Sequence, residues 1–124
     1  GAPRYPVKTA ADAIRVIDRA RREHGVTNLR MLADLYHLSV NGDDVSAAIR
    51  EHANQIGHVQ IADAPGRGEP GTGALPLENY VDQLFAVGYR GFIGLEYMPT
   101  RADTFNWLPR AERGAGDLRV ESLP

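Results

Sequence analysis

The sequence predicts an α/β fold, a partial (β/α) barrel in which three parallel strands alternate with helices. Three observations carry this expectation. Short apolar runs recur at Leu29–His37 (LRMLADLYH), Ile56–Ala62 (IGHVQIA) and Gly91–Tyr97 (GFIGLEY), and each is too short for a comfortable helix. Their spacing is about 30 residues, the size of a βαβ repeat. Each run also delivers polar groups to its end: Asp34 and His37, then Gln60 and Asp63, then Glu96. A buried parallel strand with a polar C-terminal lip is how α/β folds build their sites.

The elements follow in order. Gly1 to Lys8 carries two prolines and no periodicity, and reads as a loop. Thr9 offers an N-cap and Asp12 a carboxylate in the first turn of a helix over about residues 9–24. Ala10, Ala13, Ile14 and Ile17 supply its apolar stripe, and Gly25 stops it. Leu29 to Leu35 is the first strand. Asn41-Gly42-Asp43-Asp44 turns the chain and caps a helix running from Val45 to about Gln55. Ile56 to Ala62 is the second strand. Asp63 to Leu75 holds four glycines and two prolines, and a loop of that length inside a small domain calls for a functional reason. A helix over Pro76–Val87 follows, with proline tolerated in its first turn and Gly88 at its end. Tyr89 to Tyr97 holds the third strand. Phe105, Trp107 and Leu108 are expected to dock on a neighbouring surface, and residues 110–124 read as a partly helical or loose tail. Ile14, Ile17, Leu32, Ile49, Val59, Ile61, Val81, Leu84, Ile93 and Leu95 are expected to be mostly buried.

Right-handed crossovers would place the helices on one side of the sheet. They also leave two unpaired sheet edges and an apolar face that other strands would cover. The chain is therefore expected to need the absent part of a barrel or a second copy of itself.

Composition narrows the function. With 124 residues, 43% hydrophobic and 24% charged, the chain is an ordinary single domain. A formal net charge of −2 gives no basic footprint for nucleic acid. The absence of cysteine excludes a disulfide framework and thiolate chemistry, and suits a cytoplasmic location. No apolar run approaches a membrane span.

The polar strand ends read as a metal site, with a bland alternative beside each residue. Asp34 is a ligand or a helix cap. His37 is a functional or a structural histidine. Gln60, between Val59 and Ile61, is a neutral oxygen ligand or a core hydrogen-bonding group. Glu96 is the most informative, because a carboxylate in GFIGLEY is costly to bury without a metal, a cation or a raised pKa. Two carboxylates and an amide oxygen favour Mg²⁺ or Mn²⁺ over zinc or copper. A carboxylate that exchanges a proton beside a cation that polarises a carbonyl can move a proton between adjacent carbons of a hydroxy-carbonyl compound. Arg67, His37 and Glu69 are then candidates to hold the substrate, and Arg67 reads equally as a solvated loop charge. The glycine-rich loop lacks the patterns of a nucleotide phosphate site.

The strings DLYH (Asp34–His37), GHVQIADAPGRGEPGTG (Gly57–Gly73), GYRGFIGLEYMP (Gly88–Pro99) and WLPR (Trp107–Arg110) resemble the bacterial hydroxypyruvate isomerase family of xylose-isomerase-like (β/α)8 TIM barrels. The resemblance runs from about Tyr5 to Arg110 and implies that residues 1–124 are the C-terminal half of such a barrel. It implies metal-ligand roles for Asp34, Gln60 and Glu96, with Glu96 doubling as a catalytic acid/base. The implied reaction interconverts hydroxypyruvate and tartronate semialdehyde through an enediol, using Mg²⁺ or Mn²⁺. A second family carboxylate is expected on a strand before this chain starts. Two positions depart from the family pattern: Ala74 follows GTG where an acidic residue is usual, and Met98 follows Glu96-Tyr97 where Lys or Arg is usual. Another sugar isomerase or epimerase, or a non-catalytic barrel remnant that binds a ligand or partner, are the alternatives.

Overall fold

The computed structural model describes residues 4–112. Its elements are α1 (Ala10–His24), β1 (Met31–Asp34), α2 (Leu35–Val40), α3 (Val45–His52), β2 (Ile56–Ile61), α4 (Leu77–Ala86) and β3 (Ile93–Leu95). Short 3₁₀ turns at Ala53–Gln55 and Arg110–Glu112 complete the list. The three strands form one parallel sheet in the order β1-β2-β3.

Local chemistry accounts for the helices. Thr9 and Asp12 make a reciprocal capping box at the start of α1, and Gly25 closes it in the left-handed region at φ 65°. Asp44 caps α3 by accepting from the Ala47 N–H at 2.9 Å. Pro76 sits at the N-cap of α4, so the helix begins one residue later than the sequence predicts.

The strand between Leu29 and His37 is shorter than expected, and a helix was missed there. β1 stops at Asp34, whose carboxylate accepts from the His37 N–H at 3.0 Å and caps α2. The cap and ligand readings of Asp34 thus describe one side chain, and His37 lies in the first turn of a helix. β3 is likewise short, and Leu95 is its last residue.

Strand register sorts the side chains between two faces. Ala33 pairs with Val59, and Val59 with Ile93. Met31, Ala33, Val59 and Ile61 are buried against Ala10 and Ile17 of α1, Val45, Ala48 and Ile49 of α3, and Leu77 and Leu84 of α4. The opposite face carries Leu32 beside His58, then Asp34 beside Gln60, then Gly94. No helix lies over that face among the described residues, which explains the main miss in expected burial: Leu32 is 51% exposed. Leu95, at 42%, is the other miss. It ends an edge strand whose far side meets no further strand among the described residues. Ile17, Ile49, Val59, Ile61 and Leu84 are buried as expected, while Ile14, Val81 and Ile93 are partly covered. Trp107 packs against the core, whereas Phe105 is 46% exposed. The expected tail lies mainly in residues 113–124, outside the described residues.

Among the described residues the sheet has two bare edges and an uncovered face, which predict self-association. Size-exclusion chromatography with light scattering should give a mass that rises with protein concentration. A monodisperse monomer across the micromolar range would mean that the open face is tolerated by water.

Candidate metal and substrate site

Strand ends bring the chemistry together on the face without helices. Asp34 ends β1 and Gln60 lies beside it in register. Glu96 follows Leu95, and its N–H donates to the Ile61 carbonyl at 3.1 Å, which extends the β2–β3 ladder by one residue. Glycine at 94 leaves room at the centre of this surface. A Cβ there would stand 3.4 Å from Gln60 Cγ and 3.1 Å from His58 Nε2.

Asp34, His37 and Glu96 form the tightest group. One potential ligand atom from each lies within 4.8 Å of the others. The cap explains part of this: one Asp34 oxygen holds the His37 N–H, and the other lies 4.0 Å from His37 Nε2. Burial raises the Asp34 carboxyl above the ordinary aspartate value, and the nearby Glu96 carboxyl adds to that rise. The His37 N–H and the His37 ring pull the other way. Two crowded carboxyls, one of them buried, are disposed to accept positive charge. With an imidazole and an amide on the same surface, they make a donor set that fits a hard or borderline divalent cation.

Arg67 reaches this group from the loop after β2. Its Nη2 lies 2.9 Å from Glu96 Oε2, and its Cζ stands 5.5 Å from the centre of the Tyr36 ring. Tyr36 in turn meets the His37 ring edge-on, with centroids 5.2 Å apart. The Arg67 backbone is in the left-handed region at φ 55°, a conformation costing a non-glycine residue about 1–3 kcal/mol. The Arg67 carbonyl accepts from the Met98 N–H at 2.8 Å.

Glu69 does not join the group. It is fully enclosed, and its carboxylate accepts from the Thr100 N–H (2.9 Å), the Thr100 hydroxyl (2.6 Å) and the Thr104 hydroxyl (3.0 Å). The expectation that it contacts substrate does not match this placement: its oxygens are occupied in tying the loop to the segment after β3. The Thr100 hydroxyl and backbone, with Thr104, outweigh burial and hold its pKa down at about 2. A depressed carboxylate stabilises the fold above its unfolded value of about 4.5, and that contribution fades as pH falls towards 2. Glu69→Gln keeps the size of the side chain and removes the titration. Urea midpoints at pH 7 and pH 3 should therefore differ less in the variant than in the unaltered chain.

Asp63 organises the rest of the loop. It is buried, and it accepts from the N–H groups of Ala64, Gly71, Gly73 and Leu75 at 2.8–3.0 Å. Sequence reasoning gave no role to Tyr36, His58 or Thr100. The D-x-x-H spacing did carry a usable signal, since a capping aspartate and a residue three places on meet at one helix end.

A hollow of about 220 Å³ lined by Leu32, Asp34 and His37, with Tyr5 and Val7, adjoins the group on its β1 side. A larger groove of about 920 Å³ lies between α4 and Trp107 on the helix side and includes none of these polar residues. Of the group, Asp34 and His37 line the smaller hollow, while Glu96 and Arg67 lie outside it.

Comparison with known proteins places this architecture. A family model described as "Xylose isomerase-like TIM barrel" matches residues 1–118. The chain belongs to that family, and its sheet is a partial, open piece of the barrel. It is 52% identical over 116 residues to a Streptomyces coelicolor protein named "Putative hydroxypyruvate isomerase", covering 91% of this chain and 42% of that protein. It is 38% identical over 101 residues to the hydroxypyruvate isomerase of Escherichia coli, covering 78% and 36%. Among solved structures, a Brucella melitensis protein titled a family 2 AP endonuclease superposes with a TM-score of 0.77 at 31% identity, covering 86% and 40%. The chain thus spans about two fifths of the length of the curated relatives it matches. Among the described residues, no helix is long and apolar enough to cross a membrane.

Proposed function

We propose that this chain carries the cation-binding portion of an isomerase acting on small hydroxy-carbonyl acids, of the hydroxypyruvate–tartronate semialdehyde type. The observation that carries the reading is the convergence of Asp34, His37 and Glu96 beside Arg67. The names of the relatives support the reaction class.

In this reading Asp34, Glu96 and His37 hold a divalent cation, Mg²⁺ or Mn²⁺, and Gln60 lies beside them as a neutral oxygen donor. Such a cation supplies polarisation of a carbonyl, which acidifies the neighbouring C–H. Glu96 is the acid/base, carrying a proton between adjacent carbons. Its half-exposed carboxylate is open to a ligand on the helix-free face. Arg67 presents a planar pair of donors suited to a substrate carboxylate. Asp34, capping α2, sets the place of His37.

The chain is taken as the C-terminal half of the barrel, acting in the cytoplasm. The remaining strands, or a second copy, would cover the open face, and the remaining strands would supply the second acid/base carboxylate. A second reading is a non-catalytic domain that binds a ligand or partner, in which the Glu96 carboxylate stays paired with Arg67. Titration with Mn²⁺ followed by hydroxypyruvate, with the product observed by NMR, separates the two. Stoichiometric Mn²⁺ binding with turnover, alone or with the rest of the barrel, supports the isomerase. A folded chain that binds no Mn²⁺ at millimolar concentration would sink it.

A further inference from the structure

Arg67 is tied down at three points. Its backbone is held in the left-handed region, its carbonyl accepts from Met98, and its guanidinium lies between the Glu96 carboxylate and the Tyr36 ring. Such a side chain is aimed, unlike a free surface arginine. Its target, Glu96, is also one of the three residues that could share a cation. One carboxylate thus faces two positive claimants, and charges that crowd the same oxygens weaken each other's hold. The aromatic face beside the guanidinium offers a second resting place that keeps it at the site and out of bulk water.

We propose that Arg67 is an exchangeable counter-ion of the site. It neutralises Glu96 until a divalent cation takes that carboxylate. Once displaced, it stays against Tyr36 with its donors turned to an anionic group, a carboxylate, on the second ligand. This rests on the cation-binding reading above and adds an order of events to it: cation first, anion second. Because linkage is reciprocal, a carboxylate held by the released arginine also strengthens cation binding.

The ion pair is only partly covered, with side-chain exposures of 32% and 47%. Losing the competition should therefore strengthen cation binding modestly, by roughly two- to fivefold. The experiment is an Mn²⁺ titration of the full chain, reading free Mn²⁺ by electron paramagnetic resonance. Arg67→Gln should bind Mn²⁺ tighter than the unaltered chain, and Arg67→Lys, which keeps a competing charge, should stay near it. In the unaltered chain, ¹⁵N NMR of the Arg67 Nε–H should shift on adding diamagnetic Mg²⁺, saturating together with Mg²⁺ binding. This second measurement decides the matter if Arg67→Gln fails to fold. Equal or weaker Mn²⁺ binding by a folded Arg67→Gln, or an unmoved Arg67 resonance at Mg²⁺ saturation, overturns the exchange and leaves the cation site standing. If the unaltered chain binds neither ion at millimolar concentration, the cation-binding reading falls and the exchange falls with it.

Discussion

Asp34→Asn is expected to weaken Mn²⁺ binding by at least about tenfold, the scale seen when even residues supporting a metal ligand are lost, while the fold stays intact or becomes firmer. The two effects have opposite signs because Asp34 does two jobs. As the cap of α2 it accepts from the His37 N–H, and asparagine caps a helix about as well as aspartate. As a buried carboxyl beside Glu96 it is disfavoured in its charged form, and the amide removes that cost. The pH dependence follows. A carboxyl raised in the folded state leaves stability undiminished below its unfolded value near 3.8 and takes stability away as pH rises through the folded value. Without added cation, the unaltered chain should lose stability over that window, and Asp34→Asn should lose less. Urea unfolding at several pH values measures this, and Mn²⁺ titration measures the site. An Asp34→Asn chain that binds Mn²⁺ as well as the unaltered one would place any cation elsewhere.

Gly73→Ala should be the most damaging small substitution in the loop. A Cβ at that position would run into the Ala64 carbonyl and stand 2.6 Å from Asp63 Oδ1. Neither neighbour is a flexible side-chain end. One is backbone, and the other is a buried carboxylate fixed by four N–H groups. Overpacking alone typically costs about 1–3 kcal/mol, and each lost bond to a charged acceptor adds about 1.5–3 kcal/mol. A total of at least ~3 kcal/mol is expected in urea unfolding. The Arg67–Glu96 pair should loosen as well, because Arg67 belongs to the same loop. Gly66→Ala is the control, since a Cβ there meets nothing within 4 Å. Equal stability of the two variants would mean that the loop rearranges freely.

Much of this was legible in the sequence, for identifiable reasons. The alternation of short apolar runs with 3.6-residue stripes gave three parallel strands and the helices between them, because period and length are local properties. α2 escaped because six residues fall below the length at which a stripe can be seen. LRMLADLYH is apolar on both sides of the capping aspartate, so strand and helix read as one run. Leu32 was misjudged because its burial depends on cover that the described residues do not contain. The convergence of Asp34 and Glu96 followed from matching strand ends. Glu69 could not be placed from sequence, since its partners Thr100 and Thr104 lie 31 and 35 residues away and no periodicity connects them.

The internal wiring of the loop after β2 bears on how a ligand could come and go. Four glycines between Asp63 and Leu75 invite comparison with a swinging lid. Yet four amides converge on one buried carboxylate, so the loop cannot lift one residue at a time; it opens only by breaking those bonds together. Hydrogen exchange at Gly71, Gly73 and Leu75 should accordingly be slow and share a single opening rate. The loop then behaves as a standing wall, and traffic at the site, with the slow step that traffic so often sets, passes to whatever covers the opposite side.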